Sequence, residues 1–132
     1  MGRVEKTKYW IDGSRYDLES ARAMLKTRRF LYVGFLCHQT VELAIKAYHC
    51  SRSDEDPAYS HNLLVLCEKS GLISELSPDQ TKLLDELMPL NIQTRYPNDR
   101  EQMIRSLTLQ RCRNLLKRTE EFVQWILPFL KQ

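Results

Sequence analysis

The sequence predicts an all-α fold of about five helices, four long and one short, laid out as two helical hairpins and a short crossing piece. Three observations carry that expectation. Apolar residues recur at steps of three and four through most of the chain, the spacing that lines one face of an α-helix. No stretch shows sustained alternation of apolar and polar residues, so strand patterning is missing. Helix start and stop signals also fall where one periodic segment gives way to the next, at Pro57, Gly71 and Ser77-Pro78.

In the first segment Trp10, Ser14, Leu18, Ala21 and Leu25 form one face of a helix from about Thr7 to Thr27, with Arg15, Glu19, Arg22 and Lys26 outside it. Gly13 weakens such a helix by about 1 kcal/mol relative to Ala, which suggests a close contact there. A second helix runs from about Phe30 to Ser51. Its first half, Phe30 to Cys37, is apolar nearly all round, as a central buried helix would be. Gly34 would let a neighbour approach it. The polar loop Ser53-Asp54-Glu55-Asp56-Pro57 follows, and then a short helix from about Ser60 to Lys69 that closes at Gly71. Ser77-Pro78-Asp79-Gln80 combines a capping serine, a proline at the first helical position and a capping-box glutamine. The helix it opens carries Leu83, Leu84, Leu87 and Met88, meets Pro89 and frays toward Gln93. After a loop from Asn91 to Asn98, the pair Asn98 and Glu101 can cap a last helix from Asp99 to about Lys131. Ile104, Leu107, Leu115, Phe122, Ile126 and Leu130 give it an apolar stripe, with Pro128 distorting only its end.

The chain has 132 residues, 42% hydrophobic and 28% charged, which fits one domain spanning 1–132 and excludes disorder for most of it. At this size about two-thirds of the unfolded surface can be buried without metals or disulfides. Only 4 glycines are present, too few for a Gly-rich phosphate loop. The longest apolar run, Phe30 to Cys37, is eight residues, against the roughly 20 that span a bilayer, so no membrane partner is expected. The charged start Met-Gly-Arg-Val-Glu-Lys shows no secretory signal, and the expected location is cytoplasmic. Cys37, Cys50, Cys67 and Cys112 lie 13, 17 and 45 residues apart without a paired motif, which reads as reduced cysteines serving as small hydrophobes.

Several chemistries fail on spacing. Gly13-Ser14 matches the opening of a nucleotidyltransferase site, but no Asp-x-Asp follows at the spacing such a site needs, about ten residues later. Cys37-His38 and His49-Cys50 sit about 18 Å apart along one helix, too far to share a metal. No metal, cofactor or catalytic residue is expected. Two polar groups remain. Gln39, Glu42 and Lys46 share a face of the second helix, either as an internal ion pair or cap, or as a polar patch in a groove between protomers. From Arg95 to Arg118 seven basic residues stand against Asp99 and Glu101, a local charge of +5 in a chain whose net charge is +3. Arg95, Tyr96 and Arg100 flank the start of the last helix, where guanidinium groups, free amides and a ring suit a phosphate and a stacked base. The bland alternative is a solvated basic face with Arg95 tying down the loop.

With these residues in place the chain resembles the HEPN domains (higher eukaryotes and prokaryotes, nucleotide-binding), of the short stand-alone prokaryotic type. The matching pieces are Trp10…Tyr16-Asp17-Leu18…Ala21…Leu25, Phe35…His38-Gln39…Val41-Glu42-Leu43-Ala44…Lys46-Ala47, His61-Asn62-Leu63 and Arg95-Tyr96-Pro97. The resemblance implies an up-and-down helical bundle that forms a homodimer, often beside a minimal nucleotidyltransferase in a toxin–antitoxin-like pair. It also implies either nucleotide or RNA binding or metal-independent RNA cleavage. Cleaving members carry Arg, four to six residues, then His on one helix. His38, His49 and His61 are the histidines here, and none follows an Arg at that spacing. The expectation is a non-catalytic HEPN module that binds a nucleotide or RNA phosphate. The alternative is a divergent ribonuclease toxin without that motif.

Overall fold

The computed structural model describes residues 1–91 and 97–131, and those residues form an all-α bundle. The first helix, α1, is Arg3–Lys26 and starts four residues before the expected Thr7. Arg3 and Lys6 extend it by pairing with Asp54 at 2.7 Å and Asp56 at 2.8 Å, across from its first turns. At its other end Arg29 N–H donates to Met24 O at 2.8 Å and Arg28 N–H to Leu25 O at 3.1 Å. That pair of bonds is a Schellman closure, and it puts Arg28 in the left-handed region with φ of 58°.

The chain then turns straight into α2, Phe30–Arg52, which runs back antiparallel to α1. As expected from its apolar first half, α2 is the central helix, with Val33, Cys37, Val41, Ala44, Ile45 and Ala47 fully buried. Ser14 Oγ donates to Thr40 O at 2.7 Å, locking the register of the α1–α2 hairpin. Both sequence-flagged glycines are close-contact positions. A Cβ on Gly13 would meet Leu43 Cδ1 at 3.2 Å, and one on Gly34 would meet Leu90 Cδ1 at 3.2 Å and Leu107 Cδ1 at 3.3 Å. Asp12-Gly13, a hairpin-turn dipeptide between strands, lies here in mid-helix.

The short helix α3 is Leu63–Ser70, three residues shorter at its start than expected. The Asn62 side chain is the reason: it accepts from the amides of Leu64 at 3.0 Å and Val65 at 3.1 Å and so fixes the cap. Gly71 closes the helix with φ of 83°, and a turn of 3₁₀ helix, Leu72–Glu75, follows. The predicted capping box opens α4, Pro78–Leu87: Gln80 N–H donates to Ser77 Oγ at 3.2 Å, and Ser77 N–H donates to Gln80 Oε1 at 2.8 Å. Pro89 ends it in a 3₁₀ turn, Met88–Leu90.

The expected last helix from Asp99 to Lys131 is two helices. These are α5, Pro97–Ser106, and α6, Leu109–Ile126. Leu107 is drawn into the gap over Gly34, and the extended Thr108 starts a new helix by accepting from Arg111 N–H at 3.1 Å. Arg111 also folds back onto Ser106 Oγ at 2.8 Å. The break shifts the apolar register, so Met103 points inward while Ile104, assigned to the stripe from sequence, is 48% exposed. Pro128 does end α6, in a final 3₁₀ turn Leu127–Leu130. The rings of Tyr48, Phe122, Trp125 and Phe129 close that end of the core at centroid distances of 5.0 to 6.0 Å. All four cysteines are free and buried. Burial pushes the thiols of Cys37 and Cys67 up to about 12 and that of Cys112 to about 11. Among the described residues no helix is long and apolar enough to cross a membrane.

Candidate functional site

The shared face of Gln39, Glu42 and Lys46 becomes a polar centre where α1, α2 and the start of α3 meet. Glu42 is 3% exposed. Its Oε2 accepts from Lys46 Nζ at 3.1 Å, so the internal ion pair read from spacing is present. The His61 ring, brought in by the loop before α3, donates its Nδ1–H to Glu42 Oε1 at 3.0 Å and stands 3.2 Å from Oε2. Lys46 lies over the Trp10 ring at 5.2 Å from its centroid, which joins α1 to the cluster. Gln39 is half-buried beside them.

His38 sits one turn before Glu42, with Nδ1 3.8 Å from Oε1, and its Nε2–H donates to His61 O at 3.1 Å. Burial pushes the His38 imidazole below the usual histidine range; the Glu42 charge and the His61 carbonyl oppose that shift without cancelling it. On the α1 side, burial first and the Glu42 charge second push the Asp17 carboxyl up. The side chain of His61 is about half exposed (49%), and among the described residues its ring hydrogen-bonds only Glu42. A carboxylate that fixes one imidazole nitrogen leaves the other free for a ligand or a proton, the arrangement of an oriented base.

The second group sits at the opposite end of the α1–α2 hairpin from the Arg3 and Lys6 pairs. Leu107 packs over Gly34, and Cys112 Sγ–H donates to Phe30 O at 3.8 Å, so the end of α5 and the start of α6 lie against the first turns of α2. Leu25 shares a groove of about 550 Å³ with Arg113, Leu116 and Lys117. The basic start of α6 therefore packs against the end of the hairpin whose turn carries Lys26, Arg28 and Arg29. Some of these cations are tied internally: Arg111 to Ser106, Arg118 to Glu86 at 2.5 Å and to Asn114 at 3.1 Å, and Arg22 to Glu19 and, at 3.0 Å, to Glu120. Arg100, Arg105, Arg113 and Lys117 are exposed and have no acidic partner among the described residues. Arg95 and Tyr96 lie outside the described residues. Arg100 is on the first turn of α5, near a cavity of about 310 Å³ lined by Pro89, Asp99, Gln102 and Arg111.

The structure thus joins Glu42 and Lys46 as read, and adds two histidines to them that spacing alone did not assign. The His38–Glu42 contact follows from a four-residue step and was legible. The His61 contact depends on how the 53–62 loop folds. The basic turn Lys26-Thr27-Arg28-Arg29 was visible as a short run but carried no helix-face signal.

The HEPN domain family model matches residues 7–129, the span that holds both groups. The chain belongs to the HEPN domain family. A crystal structure of TT1696 from Thermus thermophilus is similar in fold, with a TM-score of 0.74 and 23% identity over 95% of each chain. Among curated proteins nothing matches. In this HEPN domain the helix carrying His38, Gln39, Glu42 and Lys46 is the central one, and His61 before α3 closes onto it.

Proposed function

We propose that this HEPN chain is a non-catalytic, homodimeric module that binds a nucleotide or RNA phosphate through Arg95, Tyr96 and Arg100. In this reading it works beside a minimal nucleotidyltransferase in a toxin–antitoxin-like pair. One observation carries it. Among the described residues the cations of α5 and α6 divide into those held by neighbours and those without an acidic partner, and Arg100, Arg105, Arg113 and Lys117 belong to the second set. The exposed Arg100 guanidinium on the first turn of α5 is suited to a bidentate hold on phosphate. Support for a second copy comes from the α1–α2 face. There Tyr9 and Tyr16, 63% and 75% exposed, line a mainly apolar groove of about 450 Å³ with Gly13 and Leu43.

Titration of a labelled nucleotide and a short RNA against Arg95→Ala, Arg100→Ala and Glu42→Gln tests the binding. Affinity falls with salt and in both arginine variants, whereas Glu42→Gln changes chiefly stability or dimerisation. Unchanged affinity in both arginine variants removes the site. Light scattering tests the dimer, and a monomer at tens of micromolar counts against it. The second reading, a divergent ribonuclease, is favoured by one observation, the carboxylate-oriented ring of His61. Cleavage of RNA without added metal that is lost in His61→Ala would establish it, and intact RNA supports the non-catalytic module.

A further inference from the structure

The α1–α2 turn contains a conformational mismatch. Arg28 occupies the left-handed position of a Schellman closure, with φ of 58° and both closing hydrogen bonds made. That position strongly favours Gly, with Asn next, because a Cβ crowds the backbone there. The chain instead places an exposed arginine on it, between the exposed Lys26 and Arg29. Among the described residues none of the three has an acidic partner. A non-glycine residue in this conformation, at a surface with no packing to gain, points to a role for the side chain itself.

The surroundings indicate what that role is. Arg113 and Lys117 stand one helical turn apart on α6, in the groove that Leu25 borders, and continue the cationic surface. Glu120 and Glu121 line the far part of that groove, and Glu120 is already held by Arg22 at 3.0 Å. Tyr32, 41% exposed, stands on the first turn of α2, three residues after Arg29. Cations in line with an exposed ring match a single strand of nucleic acid, whose phosphates and bases alternate.

Resting on the RNA-binding reading above, we infer that Lys26, Arg28, Arg29, Arg113 and Lys117 form a second RNA-contacting surface. The bound species is then an extended single strand rather than a mononucleotide alone. Arg28, at a position suited to glycine, contacts a phosphate of that strand through its guanidinium.

The test compares wild type, Arg28→Gly, Lys26→Gln/Arg29→Gln and Arg100→Ala. The probes are a labelled single-stranded RNA of about twelve nucleotides, a length within the range such surfaces cover, and labelled ATP. Arg28→Gly melts higher than wild type, since glycine suits the turn, yet binds the RNA several-fold more weakly. It also reduces the steepness of log K against log salt by about 0.7, the signature of one lost phosphate contact on a single strand. ATP binding is unchanged in Arg28→Gly and falls in Arg100→Ala. If RNA affinity and salt slope survive in Arg28→Gly and in the double variant while Arg100→Ala weakens both ligands, this surface is refuted and the α5 site stands. Failure of wild type to bind RNA or ATP refutes both. Equal losses against phosphatidylserine vesicles or polyglutamate show a general anion surface and overturn the assignment to RNA.

Discussion

Replacing Glu42 by Gln removes one charge from the polar centre and changes almost nothing in shape. The amide oxygen can still accept from His61 Nδ1–H, but the amide nitrogen then faces the Lys46 ammonium, which lies 3.1 Å from the carboxylate in the native protein. Lys46 is only 10% exposed along its side chain, so its charge is left desolvated and without its anion. Breaking a buried pair in this one-sided way destabilises by about 3–5 kcal/mol. The lower figure applies, because the half-exposed His61 admits water to the site. At roughly 2.1 cal/mol/K per residue, the unfolding entropy of 132 residues is about 280 cal/mol/K, so 3 kcal/mol lowers Tm by about 10 °C. Thermal melts by far-UV circular dichroism, at one protein concentration and pH 7, read this directly. Glu42→Gln/Lys46→Met removes the stranded charge and recovers much of the loss, since an apolar chain of similar length can pack on Trp10. A Glu42→Gln protein that melts within about 2 °C of wild type refutes the reasoning, as does a double variant less stable than the single one.

His38 gives a pH dependence of definite sign. Its folded proton affinity lies below the ordinary value near 6.5, so in acid the unfolded chain binds more protons and stability falls as pH drops through 6.5 and below. Asp17 acts oppositely and at lower pH, because its raised carboxyl takes up a proton earlier in the folded state. His38→Gln, which keeps an N–H for the His61 carbonyl, flattens the fall of Tm between about pH 7 and 5; an unchanged slope assigns it elsewhere. Native protein leaves all four thiols unmodified by iodoacetamide near pH 8, and unfolding in guanidinium exposes all of them, as mass spectrometry shows. Gly71→Ala, at φ of 83°, lowers stability by about 1 kcal/mol, or about 4 °C, and a neutral result removes the strain account.

The helical pattern was readable wherever a face of apolar residues is buried over several turns, because a step of three to four residues leaves no other surface to bury. That holds for α1, α2 and α4, and for the caps at Ser77 and Gly71, whose side-chain or backbone chemistry acts within four residues. The break at Leu107-Thr108 was not readable. Leu107 continues an apolar stripe equally well, and only the gap over Gly34, far away in the chain, decides that it turns inward. The candidate site divides the same way. Glu42 and Lys46 are four apart on one helix, so their pairing is a property of helix geometry. His61 reaches Glu42 only because the 53–62 loop returns the chain to the middle of α2, a closure set by packing and the Asn62 cap. The charge of the basic segment is likewise composition, while its place against the end of the hairpin that carries Lys26, Arg28 and Arg29 depends on α6 packing against α1 and α2. Sequence alone determined the class of structure and the local pairs, since those rest on interactions within a turn or two. Tertiary structure decided which distant groups share a surface, since that depends on which buried faces fit one another.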